Sequence, residues 1–86
     1  MTKSADRAEL LDLLGRCTRQ VLSELQLHEF RRDDELELLG ANSMDRADII
    51  ALVLESLRLE IPRTALFGPK NLGELVDLLH DKLQGR

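Results

Sequence analysis

The first candidates for covalent or metal chemistry in this 86-residue sequence are Cys17, His28, Ser43 and His80. A catalytic triad needs a nucleophile, a base and an orienting group that converge, and a metal site needs several ligands at matching spacing. Neither histidine has a second histidine or a cysteine within helical reach, so we expect both to be surface residues. Cys17 has no second cysteine to pair with and falls within an apolar stripe, where a free thiol packs as a small core residue. The chain is therefore predicted to be no enzyme and to hold no metal.

Ser43 differs from the other three because it lies in the segment LGANSMDRADII, where a loop ends and an amphipathic helix begins. One interpretation is structural, since serine is a common N-cap of a helix and Asn42 can share that task. The other is covalent modification, because a phosphate on this hydroxyl would face free backbone N–H groups and the positive end of the helix dipole. The residues alone leave both interpretations open.

The elements that position Ser43 are predicted to be helices, because apolar residues recur at three- and four-residue steps nearly throughout the chain. A first helix of about five turns starts at Ser4 or Asp6 and runs to Leu25. The second helix begins at or near Ser43, and Pro62 bars its continuation. The alternating pattern of a strand is absent.

The remaining segments complete an all-α fold, a small bundle of three main helices plus one short helix, with a long first loop. Thr64 is expected to cap the short helix, and Asn71 with Glu74 has the form of a capping box at the start of the last helix. The long loop precedes Ser43 and is expected to contain one short turn, from Asp34 to Leu38. The apolar side chains expected to pin this loop to the helices are Leu27, Phe30, Leu36 and Leu39.

The composition argues against several functional classes. The chain has 12 basic and 16 acidic residues, a net charge of −4 and no Trp or Tyr. A nucleic-acid-binding protein usually has a basic face, often with aromatic side chains on which bases stack, so this class is not expected. The same acidity argues against anionic membrane surfaces, and no stretch approaches the ~20 apolar residues of a spanning helix or has the form of a signal peptide. We expect a cytoplasmic protein with one domain over residues 1–86, its first and last few residues frayed, and no room for a deep catalytic cleft.

Negative charge is concentrated in the middle of the chain. The formal net charge is +1 over residues 1–32, −6 over residues 33–60 and +1 over residues 61–86. Such a patch steers basic partners and speeds their encounter more than it adds affinity, although a charged helix face can also be merely solvated. Arg46 interrupts the patch, and it either pairs with a neighbouring acid or helps one partner distinguish this chain from others.

The segment LGANSMDRADII resembles the attachment motif of acyl carrier proteins, in which leucine, glycine, any residue, aspartate, serine and a large apolar residue open the second helix. The resemblance covers nearly the whole chain, since the helix order, the long loop and the short third helix also fit. It implies that Ser43 carries a 4'-phosphopantetheine arm, attached from coenzyme A by a phosphopantetheinyl transferase, and that the thiol of the arm holds an acyl group. Two positions depart from the motif: Asn42 replaces aspartate, which bears on transferase recognition, and Met44 replaces leucine.

A narrower resemblance extends through SMDRADIIALVLESLRLEIPRTALFGPKNLGELVDLL, which is similar to the donor carriers of polyketide β-branching cassettes. The shared features include Arg46, three residues after the serine, and the Ile-Pro-Arg and Lys-Asn steps within residues 61–71. This resemblance implies an acetyl cargo, made from malonyl by an acyltransferase and a ketosynthase-like decarboxylase, and donated to a hydroxymethylglutaryl-synthase-like enzyme. The alternatives are a generic fatty-acid or other acyl carrier, and a helical interaction module that is never modified.

The second helix and its surroundings are the predicted docking face for these enzymes, and a monomer is the default for a carrier with such an acidic surface. Leu52 is expected at the edge of this face as an apolar contact, and Met44 either there or in the core. The predicted docking residues are Asn42, Met44, Asp45, Arg46, Asp48, Glu55 and Arg63.

Overall fold

The computed structural model describes residues 6–85, and all regular elements in this range are helical, as predicted. None of the helices found there is long and apolar enough to cross a membrane. The predicted fraying falls mainly on residues 1–5 and 86, outside the described residues. The elements in chain order are α1 (Arg7–Val21), a first 3₁₀ turn (Ser23–Leu25), α2 (Ser43–Leu57), a second 3₁₀ turn (Arg63–Leu66) and α3 (Leu72–Gly85).

Helix α1 begins after Asp6 and is shorter than predicted. The Asp6 side chain accepts a hydrogen bond from the backbone N–H of Glu9 at 2.8 Å, and the Glu9 side chain accepts one from the backbone N–H of Asp6 at 3.0 Å. This capping box satisfies two donors at the helix start. The helix ends at Val21 because Leu22 leaves the helical conformation, with φ −114° and ψ 85°. The apolar pattern runs on to Leu25 because the following 3₁₀ turn continues the same face.

Helix α2 begins at Ser43, as predicted, and ends at Leu57, before the limit that Pro62 sets. Its end is the left-handed backbone of Arg58, with φ 53° and ψ 41°, a conformation that costs a non-glycine residue about 1–2 kcal/mol. Two backbone hydrogen bonds offset this cost. The N–H of Arg58 donates to the carbonyl of Glu55 at 3.1 Å, and the N–H of the next residue, Leu59, donates to a carbonyl of the last turn of α2.

The long loop between α1 and α2 is fastened to the start of α3 by its backbone. The N–H of Leu72 donates to the carbonyl of Asp34 at 2.9 Å, and the N–H of Gly73 donates to the carbonyl of Arg32 at 2.8 Å. The short turn lies slightly later than predicted, over residues 36–40. Of the predicted apolar pins, Leu36, Phe30 and Leu39 pack on the core, but Leu27 is fully exposed, so that part of the prediction is wrong.

Two local predictions near α3 need correction. Thr64 does not cap the second 3₁₀ turn, which starts one residue earlier after Pro62 and has no side-chain cap. The Asn71 side chain accepts the N–H of Glu74 at 2.8 Å, as expected, but the Glu74 carboxylate accepts the N–H of Lys70 at 2.9 Å rather than that of Asn71. The start of α3 therefore has a variant of the capping box, in which the glutamate bonds to the residue before the asparagine rather than to the asparagine itself.

The core lies where α1 packs against α2 and α3. Thr18 is the buried polar side chain of this core, and its hydroxyl donates to the carbonyl of Leu14 at 2.7 Å. Cys17 is 2% exposed, so its predicted place in the core is confirmed. The apolar residues that are buried are Leu10, Leu14, Cys17, Leu22, Leu36, Ala41, Ile49, Ile50, Val53, Leu54, Leu66, Leu72, Leu75, Val76 and Leu79.

Candidate functional site

Asn42, and not Ser43, caps helix α2. The Asn42 side-chain oxygen accepts the backbone N–H of Asp45 at 2.8 Å, and the Asp45 carboxylate accepts the backbone N–H of Asn42 at 3.2 Å. This is a capping box with aspartate in the place of the usual glutamate. Ser43 is the first helical residue and is exposed, and its hydroxyl has no hydrogen-bond partner among residues 6–85. The interpretation of Ser43 as the cap is therefore wrong, and its hydroxyl is available for chemistry.

The backbone around Ser43 suits a negative group on that hydroxyl. The N–H groups of Ser43 and Met44 are the first two of α2, where no preceding turn supplies a carbonyl partner. They lie at the positive end of the helix dipole, which favours an anion by about 0.3–1 kcal/mol at an exposed site. The capping box holds this geometry without using the serine.

A groove of about 500 Å³ opens beside Ser43. Its apolar lining comes from buried side chains of α2, of α3 and of the second 3₁₀ turn, and charged groups also line it. This volume falls in the range of small-molecule sites, ~300–1,000 Å³, so a short flexible chain with an apolar end fits. The lining residues are Glu35, Leu36, Glu37, Ser43, Arg46, Ile50, Leu66, Phe67, Gly68, Pro69, Lys70, Asn71, Leu72 and Leu75.

Arg46 lines this groove together with Ser43. Its Nε atom is buried and makes no hydrogen bond within the described part of the chain, and no carboxylate there lies within ion-pairing distance of its guanidinium. The alternative in which Arg46 forms an ion pair with a neighbouring acid is therefore wrong. The positive charge of Arg46 can therefore attract an anion in the groove.

The other predicted docking residues separate into two groups. Asn42 and Asp45 use their side chains to cap α2, so their first role is structural. Met44 is 75% exposed, which removes its alternative place in the core. Asp48 and Glu55 on α2 and Arg63 in the second 3₁₀ turn are also exposed, whereas Leu52 is half-buried against the core.

Two exposed apolar side chains near the groove were not predicted as site residues. Phe67 is 51% exposed and lines the groove, and Leu38 is 78% exposed and follows the lining residue Glu37. Met44 is a third exposed apolar side chain of this kind, since it follows the lining residue Ser43 in the sequence. The available signal was that Phe67 falls outside every apolar stripe, next to a Gly-Pro pair.

No hydrogen bond within residues 6–85 joins either histidine to Cys17 or to Ser43. His28 and His80 are half-buried rather than surface residues, and His28 Nε2 lies 3.0 Å from the Asp34 carboxylate. Burial by itself raises the pKa of Asp34, but hydrogen bonds from His28 and from the N–H of Arg31 outweigh it and hold the pKa below its ordinary value. Burial raises the pKa of the Cys17 thiol, which keeps it protonated and unreactive. Within residues 6–85 no group of three or more potential ligands could hold a metal ion.

Comparison with known proteins gives three consistent findings. The sequence profile of one family, described as "Phosphopantetheine attachment site", matches residues 9–79. The polyketide biosynthesis acyl-carrier-protein AcpK of Bacillus subtilis (strain 168) is 48% identical over 79 residues, which is 92% of this chain and 96% of the relative. A chain from the crystal structure of the curacin biosynthetic pathway HMG synthase in complex with acetyl donor-ACP superposes with a TM-score of 0.84 and 39% identity, over 88% of this chain and 97% of that one.

The profile match includes α2, the groove beside it and most of α3. The residues present also fit a phosphopantetheine group, because an exposed hydroxyl, two free N–H groups and an unpartnered guanidinium lie together at the mouth of a groove with an apolar lining. The chain belongs to the acyl carrier proteins, the family that bears covalently attached 4'-phosphopantetheine and acts as carrier rather than catalyst.

Proposed function

We propose that Ser43 is the residue to which the phosphopantetheine is attached. The observation that carries this proposal is the division of labour at the start of α2, where Asn42 caps the helix and leaves the exposed Ser43 hydroxyl without a hydrogen-bond partner among residues 6–85. Ser43 also lies within the residues matched by the family profile. When bound, the arm supplies a thiol that holds the acyl group as a thioester.

The chain's own residues provide a place for the arm and do no bond chemistry. The first N–H groups of α2 favour the negative phosphodiester. The groove lined by Ile50, Leu66 and Leu75 shelters an apolar segment of the arm from water. The charged groups of the same groove keep the arm near the protein surface. A carrier needs this balance, because its cargo must be held and then released to an enzyme.

We further propose that the cargo is acetyl and that the chain donates it to a hydroxymethylglutaryl-synthase-like enzyme in polyketide β-branching. Two relationships support this: the curated relative is a polyketide biosynthesis carrier, and the structural relative comes from a complex of an HMG synthase with its acetyl donor-ACP. An acyltransferase and a ketosynthase-like decarboxylase would supply acetyl from malonyl, and a phosphopantetheinyl transferase would attach the arm.

The exposed face around Ser43 suits such partners. Asp48 and Glu55 present negative charge along α2, while Phe67 in the groove lining and Met44 next to Ser43 add exposed apolar area. Acidic groups steer a basic enzyme surface during encounter, and a few apolar contacts then hold the complex briefly. Brief docking lets one carrier visit several enzymes in turn.

The first experiment is intact mass after incubation with coenzyme A, Mg²⁺ and a broad-specificity phosphopantetheinyl transferase. We expect the wild type to gain one phosphopantetheine and Ser43→Ala to gain none. Ser23→Ala, which changes an exposed serine of the first 3₁₀ turn, is the matched control and is expected to load normally. Loading of Ser43→Ala would place the arm elsewhere, and no loading of the wild type beside an active control carrier would favour an unmodified interaction module.

The donor role is tested by transfer. The acetylated chain is mixed with a hydroxymethylglutaryl-synthase-like enzyme, and acetyl loss is followed by mass, with a fatty-acid carrier bearing the same acetyl arm as control. We expect transfer from this chain and much slower transfer from the control. Equal rates would mean that the chain is a generic carrier.

A further inference from the structure

Two cations line the groove beside Ser43, Arg46 and Lys70, and of these Arg46 has a buried donor atom without a hydrogen-bond partner among the described residues. The Nε–H of Arg46 is buried and donates no hydrogen bond to any described residue, and the guanidinium forms no ion pair there. Arg19 Nε is also buried and unpartnered, but the rest of that guanidinium is used: it donates to the carbonyl of His28 at 2.8 Å and lies 4.9 Å from the Phe30 ring centroid. Arg46 has no comparable partner, although a buried donor normally has one.

The position of Arg46 directs its side chain towards Ser43. The two residues are three apart in α2, so they share a face of the helix. Long helical side chains lean towards the N-terminus, over the turn that precedes them. Both residues also line the same groove, so an anion attached to the Ser43 oxygen would lie on the side to which the guanidinium points.

We propose that the Arg46 guanidinium binds the phosphodiester that joins the arm to Ser43 and thereby directs the arm along the groove. This proposal rests on the proposed attachment at Ser43. A phosphodiester has a permanent negative charge and acceptor oxygens, and arginine donors match phosphate oxygens in a charge-assisted pair. Arg46 is thus a positioning residue, which acts on the arm rather than on the acyl group.

The alternative anion is a carboxylate on the cargo, as in a malonyl group, and it uses the same chemistry. The two sources separate cleanly, because the arm with a free thiol carries the phosphodiester and no carboxylate. Glu35 and Glu37 also line the groove but form no ion pair with Arg46. The charge of Arg46 is therefore not neutralised before the arm is attached.

The test follows the Nε–H signal of Arg46 by ¹⁵N NMR in the full-length wild-type chain, before and after attachment of the arm with a free thiol. The signal is assigned by its loss in Arg46→Lys. We expect attachment to shift this signal and to slow its exchange with water several-fold, while Arg16, an exposed arginine on α1 that pairs with Asp12 at 3.2 Å, stays unchanged. Intact mass of the same samples reports attachment independently.

A second readout observes the other partner. The ³¹P signal of the arm is expected to shift in Arg46→Gln, to return most of the way in Arg46→Lys, and to stay in place in the control Arg16→Gln. Circular dichroism verifies that each variant is folded. If the wild type gains the arm and neither signal responds to the other group, the role of Arg46 is overturned while attachment at Ser43 stands. If Arg46 responds only when malonyl is loaded, its ligand is the cargo carboxylate and the proposal fails. If no arm is gained, attachment and this proposal both fail.

Discussion

Asn42 and Ser43 are adjacent, and either residue type caps helices well, yet their roles in α2 differ. The Asn42 side chain is bound to the N–H of Asp45, whereas the Ser43 hydroxyl points to solvent with no partner in the described residues. The spacing Asn-x-x-Asp was present in the sequence and could have identified the cap. The unpartnered Nε of Arg46 and the exposure of Phe67 could not be predicted, because both depend on how the loop and α3 close around the groove.

The division of roles makes a stability prediction. We expect Asn42→Ala to lower the free energy of unfolding by about 1 kcal/mol, because α2 loses its cap. Ser43→Ala is expected to change it by less than about 0.5 kcal/mol, since that side chain is exposed and has no hydrogen bond among the described residues to lose. Urea unfolding followed by circular dichroism measures both. A larger loss for Ser43→Ala than for Asn42→Ala would mean that Ser43 is the cap in solution.

Gly40 makes a second prediction at the scale of the single residue. It has φ +107°, which a residue with Cβ rarely adopts, although an added Cβ would meet no atom within 4 Å. Gly40→Ala is therefore expected to destabilise the fold by about 1–2 kcal/mol through backbone strain alone. Gly68, which has equally open surroundings and no positive φ, is the matched control. Equal unfolding midpoints for Gly40→Ala and Gly68→Ala would contradict this prediction.

At the scale of elements, the all-α class, the three main helices, the start of α2 at Ser43 and the short third helix followed from apolar periodicity and breakers in the sequence. The ends were harder to predict. The pattern runs through Leu22 without a break because the first 3₁₀ turn continues the apolar face, and the stop at Arg58 uses a left-handed residue that has no glycine signature. The long loop is fastened to α3 through backbone hydrogen bonds, which do not require particular residue types and therefore give no signal in the sequence.

Charged side chains also join the long loop to α3, and the stability that they contribute depends on pH. Asp77 on α3 receives hydrogen bonds from Arg32 of the loop at 2.9 Å and from Arg7 of α1 at 2.9 Å, and these hold the pKa of its carboxyl below the ordinary value. A folded-state pKa below the unfolded one means that the pairs stabilise the fold above the ordinary carboxyl pKa and lose this effect as the pH falls through the lowered pKa.

We therefore expect Asp77→Asn to be less stable than the wild type at neutral pH and the difference to vanish in acid. Because all three side chains are about half exposed, the effect is expected to be small and to weaken at high salt. Urea midpoints across this pH range measure it, with Asp81→Asn, on the exposed side of the same helix, as the control. A wild-type advantage that persists unchanged below the lowered pKa would contradict the assignment.

At the scale of the whole molecule, charge is distributed unevenly. The middle third of the chain has a net charge of −6 and the flanking segments +1 each, so the negative potential is concentrated around α2 and the loop before it. This distribution was fully available from the sequence, whereas the groove that it surrounds needed the packed structure. The cytoplasmic location, the single domain over residues 1–86 and the monomeric state remain predictions.

The charge distribution predicts that α2 governs the rate of encounter. The double reversal Asp48→Lys with Glu55→Lys is expected to slow association with a basic synthase surface by about tenfold or more at low salt, and by less at high salt. Glu24→Lys with Asp81→Lys changes the net charge equally outside α2 and is the control. Stopped-flow association rates measure both pairs, and equal slowing would mean that net charge matters and not its position.

The fastening of the long loop to α3 has a consequence for the groove as a whole. Two helices start at the groove, but the first N–H groups of α3 are already taken, those of Leu72 and Gly73 by loop carbonyls and that of Glu74 by Asn71. Of the two helix starts, α2 alone leaves its first backbone N–H groups unused among the described residues. An anion in the groove therefore meets free helix-terminal N–H groups beside Ser43 and none at the start of α3. A chain anchored at Ser43 through a phosphodiester is therefore expected to enter the groove with its charged end at α2 and its free tip towards α3.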